Sequence, residues 1–438
     1  MNKKKHNRRD FIKKSSGAII GLASIPYFIP SKIIGRNKLI APSDKIRVGC
    51  IGVGWQGTSN MKTFLKESDA IVVAVCDIDK NHLKEAKNTV DTYYGNKDCK
   101  TYLNYKEILE RNDIDVFSIG LPDHWHGIVS VAAAKAGKDI YGEKPLSHNL
   151  LEGRAICNAV KRYGRIWQTG SWQRSRSNFR YACELVLNGR IGKVHTVEVG
   201  LPSGFSDFGG TDKITEPPKE LDYETWLGPA PYAPYASARV HKNWRWNLDY
   251  GGGQLMDWIG HHGDIAHWGL GLDKTGPIEI SAKGFFPKTG LWNAATKFRI
   301  DSKYKNGLKM IVAGGHPDVC NGTTGTKWIG EEGWIWVARG NNLDASNKNI
   351  LKDKIKPNEI HLLKSPGHVR NFLDCVRSRK ETLAPCETAH RSASIGHLGQ
   401  IAMLLGKTIN FNPDTEEIIG DHVASRLLGR PMRVPYHL

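Results

Sequence analysis

The feature that most restricts the fold of this chain is a glycine-spaced turn, Gly52-Val53-Gly54-Trp55-Gln56-Gly57, placed at the end of an apolar run over residues 46–51. A short apolar run that ends in glycines reads as a buried strand, and the polar residues beyond it open a helix. Gly52 allows the tight strand-to-helix turn, Gly54 lets the backbone approach a diphosphate, and Gly57 lets helix and strand pack closely. The diphosphate then sits on the N–H groups at the helix N-terminus, with Trp55 and Gln56 beside it. A second apolar run, residues 71–76, ends at Asp77. A carboxylate there accepts hydrogen bonds from the adenosine ribose hydroxyls, which favours NAD over NADP as the cofactor.

The alternation of strand and helix continues. Residues 116–121 form a third strong strand, followed by Pro122-Asp123-His124-Trp125-His126 and an alanine-rich helix over 128–136. Residues 139–142 lead into Glu143-Lys144-Pro145. In a doubly wound sheet, ligands bind outside the carboxyl ends of the strands. Pro122, His124, His126, Glu143 and Lys144 all fall at that edge and are expected to border the cofactor.

At 438 residues the chain exceeds one ordinary hydrophobic core, so two domains are expected. The formal charge of +18 resembles a nucleic-acid signal. Half of it comes from residues 1–40, where ten Lys or Arg and one acid give +9. The remainder is spread thinly, with no basic stripe or basic-aromatic motif, so no nucleic-acid partner is expected. The eight cysteines are scattered without CxxC spacing, which argues against a structural zinc. Cys50 and Cys76 lie in apolar runs and read as small buried hydrophobes.

The first forty residues read as an address. Arg8-Arg9-Asp10-Phe11-Ile12-Lys13 resembles a twin-arginine export signal, and the apolar stretch over 17–30 is too short to span a bilayer as a helix. An exported, periplasmic protein without stable membrane insertion is expected, with residues 1–42 as signal and linker.

Two further clusters carry chemistry. Lys144 follows a strand at the ligand edge, where an ammonium can hydrogen-bond a substrate hydroxyl and stabilise the alkoxide formed as hydride leaves. In Gly251-Gly252-Gly253-Gln254-Leu255-Met256-Asp257-Trp258-Ile259-Gly260-His261-His262-Gly263-Asp264, the residues Asp257, His261 and Asp264 share one helix face. His261 is suited to removing a hydroxyl proton near neutral pH, with a carboxylate one turn away to orient it. A metal bound by the same residues is the rival reading, and no metal is assigned. His262 and His267 point elsewhere and read as structural.

Together, the glycine turn, the Glu143-Lys144-Pro145 triplet and the GGGxLxDxxxHxxD pattern resemble the glucose–fructose oxidoreductase/inositol dehydrogenase (Gfo/Idh/MocA) family over essentially the whole chain after the signal. The resemblance implies an α/β fold: an N-terminal Rossmann domain, here 43–165, then an α/β domain with a large open, mostly antiparallel sheet, here 166–438. It implies Lys144, Asp257 and His261 as the catalytic set, a small carbohydrate substrate, and a homodimer or tetramer formed on the exposed sheet face. The family often has a glycine two residues after the helix aspartate; here Ile259 stands there and Gly260 follows. Related redox-neutral glycoside hydrolases often lack the triplet lysine, which this chain keeps.

The family places substrate contacts just after the first domain, which points to Trp172, Gln173 and Arg174. Residues 201–250 form a long stretch rich in Pro and Tyr; its Trp246 is a further candidate to stack on a sugar. Residues 278–340 alternate apolar and polar, as in a sheet with one exposed face. The expected activity is hydride transfer to or from a sugar, polyol or glycoside hydroxyl carbon. The alternative is a redox-neutral cycle on tightly held NAD, through a keto-sugar to cleavage or epimerisation.

Overall fold

The computed structural model describes residues 41–205 and 209–438. The twin-arginine-like segment lies outside the described residues. Of the compact unit that ends at Lys45, the described part is one 3-10 turn, Pro42–Asp44. Ile46–Leu438 forms the other unit.

The first sheet has six parallel strands: β1 (Ile46–Ile51), β2 (Ala70–Cys76), β3 (Lys100–Tyr102), β4 (Val116–Ile119), β5 (Asp139–Gly142) and β6 (Trp167–Thr169). Their order is β3-β2-β1-β4-β5-β6. The chain reverses direction across the sheet between β1 and β4, which opens a crevice there. Register sets Ile51 beside Ile119 and Ile119 beside Gly142, so the loops that begin at Gly52, Gly120 and Glu143 leave the sheet side by side. β4 is wholly buried and β1 nearly so, as helix-covered parallel strands require.

The second sheet has nine strands: β7 (Val194–Leu201), β8 (Glu279–Phe285), β9 (Lys297–Lys303), β10 (Lys309–Gly314), β11 (Gly325–Gly330), β12 (Gly333–Val337), β13 (Leu343–Ala345), β14 (Ile409–Asn412) and β15 (Glu417–Ile418). The order is β13-β12-β11-β7-β10-β9-β8-β14-β15, antiparallel except for β7 beside β10. One face is covered by the helices Gly253–Trp268 and Cys386–Leu405. Alternate positions of β8 and β9 remain partly or fully exposed on the other.

β6 completes the first sheet, and the helix His368–Ser378 returns to it, packing Phe372 edge-on against Phe64 and Tyr141. That return joins residues some 300 apart, which no local pattern encodes. All eight cysteines are buried and unpaired, and burial pushes the Cys50 and Cys76 thiols far up. Among the described residues, no helix is long and apolar enough to cross a membrane.

Candidate active site

The carboxyl edge of the first sheet opens onto a cavity of about 800 Å³, within the range of small-molecule and cofactor sites. Gly52 stands at φ +77°, and a Cβ on Gly57 would fall 1.8 Å from the Gly52 carbonyl oxygen. Only glycine lets the helix Trp55–Leu65 start this close to β1. A Cβ on Gly54 would meet nothing nearer than the His82 ring at 3.6 Å, so the backbone there is open to a ligand. No side chain caps the helix and no acid stands in its first turn, so its leading N–H groups suit a diphosphate. Asp77 lines the same cavity; its oxygens accept from Val53 N (2.8 Å) and Asp79 N (2.9 Å). The carboxylate thus braces the glycine turn, and each oxygen keeps a lone pair for a ribose hydroxyl. These residues fit NAD.

Deeper in, Gln56 (3.3 Å) and Asn60 (2.8 Å) donate to Glu143 Oε1, a buried carboxyl that desolvation raises above its usual range. Lys144 reaches across to the second domain. Its Nζ donates to Asp257 Oδ1 (2.9 Å) and to the Asp257 carbonyl (2.7 Å). Gly260 makes this possible: a Cβ there would sit 3.1 Å from Lys144 Cβ, so the helix face is cut away where the lysine stem passes. Ile259, in the position where the family often has glycine, is fully buried in the second-domain core. Burial raises the Asp257 carboxyl, but Lys144 and Arg245 (Nε 3.3 Å away) outweigh it and hold it low.

His261 lines the cavity one turn along, between the indoles of Trp172 (6.2 Å) and Trp258 (5.7 Å). Its Nδ1 is buried and has no partner among the described residues. Burial, then the charges of Lys144 and Arg339, hold His261 well below the ordinary histidine range. The ring is therefore neutral at neutral pH and able to accept a proton.

The expected carboxylate support for His261 is absent among the described residues. Asp257 is taken by two cations, and Asp264 points into the core, where Arg174 holds it through Nε (2.7 Å) and Nη2 (3.0 Å). A metal bound by Asp257, His261 and Asp264 has no common centre for the same reason.

The cavity gathers Gly52, Gly54, Trp55, Gln56, Asp77, Pro122, Glu143, Lys144, Trp172, Asp257 and His261. Six residues of the expected site are not in its lining, the first being Gly57, whose close approach to Gly52 packs the helix against β1. His124 is fully buried, with Nε2 on the Trp226 carbonyl (2.9 Å), because the helix begins at Asp123 and carries it inward. His126 ties two loops together, its ring nitrogens on the carbonyls of Pro145 (2.8 Å) and Leu121 (2.9 Å). Arg174 pairs with Asp264 and Asp273 in the interior. Gln173 is buried and acts through a neighbour, accepting from Arg339 Nε at 3.0 Å. Trp246 is buried and stacked on Phe205 at 5.3 Å.

Sequence reasoning did not assign Trp258 or Arg339, which line the cavity together with Arg245. Arg245 lies in the aromatic loop already singled out, and Trp258 is next to Asp257; Arg339 follows β12 and has no local signal. It also missed Asp79, His82 and His241, whose ligand-type atoms lie within 4.8 Å of one another near the ribose end. Asp79 Oδ2 lies 4.0 Å from both His82 Nδ1 and His241 Nε2.

A dinucleotide fold whose sheet edge meets the helix of an open-sheet domain defines a class, the two-domain NAD-dependent oxidoreductases. The chain belongs to the Gfo/Idh/MocA oxidoreductase family: residues 46–171 match its NAD-binding Rossmann fold and residues 177–438 its C-terminal alpha/beta domain. The chain is 31% identical to the myo-inositol 2-dehydrogenase of Thermotoga maritima over 154 residues, 35% of this chain and 44% of that protein. It is 30% identical to the alpha-N-acetylgalactosaminidase of Shewanella oneidensis over 177 residues, 36% of this chain and 38% of that protein. The matches thus span under half the length of these curated relatives. Among solved structures, the aldose-aldose oxidoreductase of Caulobacter crescentus, complexed with glycerol, superposes with a TM-score of 0.62 at 17% identity, covering 84% of this chain and 100% of that one. The WlbA dehydrogenase of Bordetella pertussis, in complex with NADH and UDP-GlcNAcA, also gives 0.62, at 16% identity, covering 84% and 99%. At these identities the likeness shows the fold.

Proposed function

We propose that this protein transfers a hydride between NAD and a hydroxyl-bearing carbon of a carbohydrate. The observation that carries this reading is the meeting of Lys144, from the first domain, with His261, from the second, in the cavity that also holds the glycine turn. Bound NAD supplies the hydride acceptor; Gly52, Gly54, the Trp55–Leu65 helix N-terminus, Asp77 and Pro122 would hold it. A substrate hydroxyl exchanges for one of the Asp257 contacts on Lys144 Nζ, and the ammonium then stabilises the developing alkoxide. Neutral His261 takes the hydroxyl proton. Asp257 keeps Lys144 aimed into the cavity. Trp172 and Trp258 wall the cavity beside His261.

The similarity to an alpha-N-acetylgalactosaminidase favours one second reading: a cycle in which the hydride returns to the sugar after glycoside cleavage. Turnover with added NAD separates the two. Stoichiometric NADH marks net oxidation; cleaved or epimerised product without NADH, on cofactor that survives purification, marks the redox-neutral cycle. No keto-sugar, cleaved sugar or NADH from any carbohydrate in a broad panel sinks both.

The twin-arginine-like start supports export to the periplasm. That route carries folded proteins, which suits an enzyme loaded with its cofactor before export. The partly exposed face of β8, with Phe285 at its end, supports a homodimer or tetramer built on the second sheet. Light scattering of the purified protein tests the assembly, and cell fractionation tests the export.

A further inference from the structure

Arg339 lines the cavity without a carboxylate partner among the described residues. Lys144 and Arg245 share one carboxylate, Asp257. Asp123, which also lines the cavity, is pushed by burial well above the carboxylate range. Arg339 is a further cation of the cavity, since guanidinium stays protonated in proteins. Its Nε donates to Gln173 Oε1 at 3.0 Å. Among the described residues its guanidinium makes no other hydrogen bond and pairs with no carboxylate, and Nη2 is buried without a partner. A buried donor left unmade is costly, so a site that keeps one is built for a ligand that completes it.

The guanidinium is held in a fixed attitude. Its carbon lies 4.7 Å from the Trp172 ring centroid and 4.3 Å from that of Trp258, an indole on each count close enough for cation–π attraction. These two indoles also flank His261. Arg339 and His261 thus border one cavity against the same two indoles. A fork of parallel N–H donors matches the paired oxygens of an oxyanion.

We propose that the substrate is an anionic sugar, carrying a carboxylate or a phosphate ester that Arg339 binds while the reacting hydroxyl lies between Lys144 and His261. This rests on the carbohydrate reading above and names its substrate class. Arg339 then sets specificity and orientation, and Gln173, which fixes its Nε, is a positioning residue.

The test is calorimetric titration of the NAD-loaded protein with hexuronates, hexose 6-phosphates and the parent hexoses, with NADH formation and product mass followed in parallel. At least one anionic class should bind about 10- to 100-fold more tightly than the parent hexoses, the range of a charge-assisted pair. Whichever class wins identifies the oxyanion. Arg339→Gln should cut that preference ratio by the same factor, and Arg339→Lys, which keeps the charge without the fork, should retain part of it. Equal binding of neutral and anionic sugars, no binding of either, or a preference intact in Arg339→Gln overturns the inference. An Arg339-dependent preference without any hydride chemistry upholds it and overturns the proposed function instead.

Discussion

Arg174 offers the sharpest division between the sequence and the structure, because the two assign it different work. Beside Trp172 and Gln173 it reads as a substrate contact; in the fold it is 2% exposed and bonded to Asp264, itself 1% exposed, and to Asp273. Arg174→Ala therefore leaves a carboxylate in the core with Ser392 Oγ (3.0 Å) as its remaining side-chain donor. Breaking a buried pair from one side costs about 3–5 kcal/mol, since the stranded charge has lost its solvent and its partner. Burial already raises the Asp264 carboxyl, and Arg174 is the first influence opposing it. Without the arginine its pKa climbs further. The sign follows: a group whose folded pKa lies above its unfolded one is least harmful when protonated, so the deficit of the variant shrinks as pH falls from 8 to 5. Urea unfolding of wild type, Arg174→Ala, Asp264→Ala and the double variant measures both the loss and the coupling. A loss below about 1 kcal/mol, together with a raised KM for sugar, would refute a structural role.

Three other outcomes follow from the same geometry. Lys144→Ala and His261→Ala should each lower kcat by about 10² or more with NAD binding retained, as stopped-flow hydride transfer and cofactor titration would record. Gly57→Ala, which drives a methyl into the Gly52 carbonyl, should weaken NAD at least about tenfold in equilibrium dialysis; unchanged affinity would mean the turn does not hold the diphosphate. Burial holds the imidazoles of His124, His262 and His397 at about 3 and that of His267 at about 4. Each is neutral when folded and protonates on unfolding below about 6.5, so each should remove up to about 1.4 kcal/mol per pH unit as pH falls from 6.5 towards 4, visible in urea melts across that range.

Much of the site was legible because its parts are local. The strand, three glycines, helix and Asp77 occupy 32 consecutive positions, 46–77, and each residue type follows from the turn it must make. Asp257 and His261 are one helical turn apart, so their common face is written in their spacing. What the sequence could not supply is partnership. The carboxylate beside His261 in sequence pairs instead with Lys144, 113 residues away, and the one expected to help it pairs with Arg174, 90 residues away. His124 and His126 were placed at the correct edge but on the wrong side of it, because the helix that carries them starts before the residues whose pattern announces it.

The sequence by itself determined the two kinds of sheet, the dinucleotide turn and the side chains capable of the chemistry, since these depend on periodicity and on backbone freedom within a few residues. Tertiary structure alone decided which charges neutralise one another. Arg339, after β12, becomes part of the site only when its strand packs the loop against Trp172 and Trp258, and packing of that kind is set by the shape of the whole core rather than by any short stretch of chain.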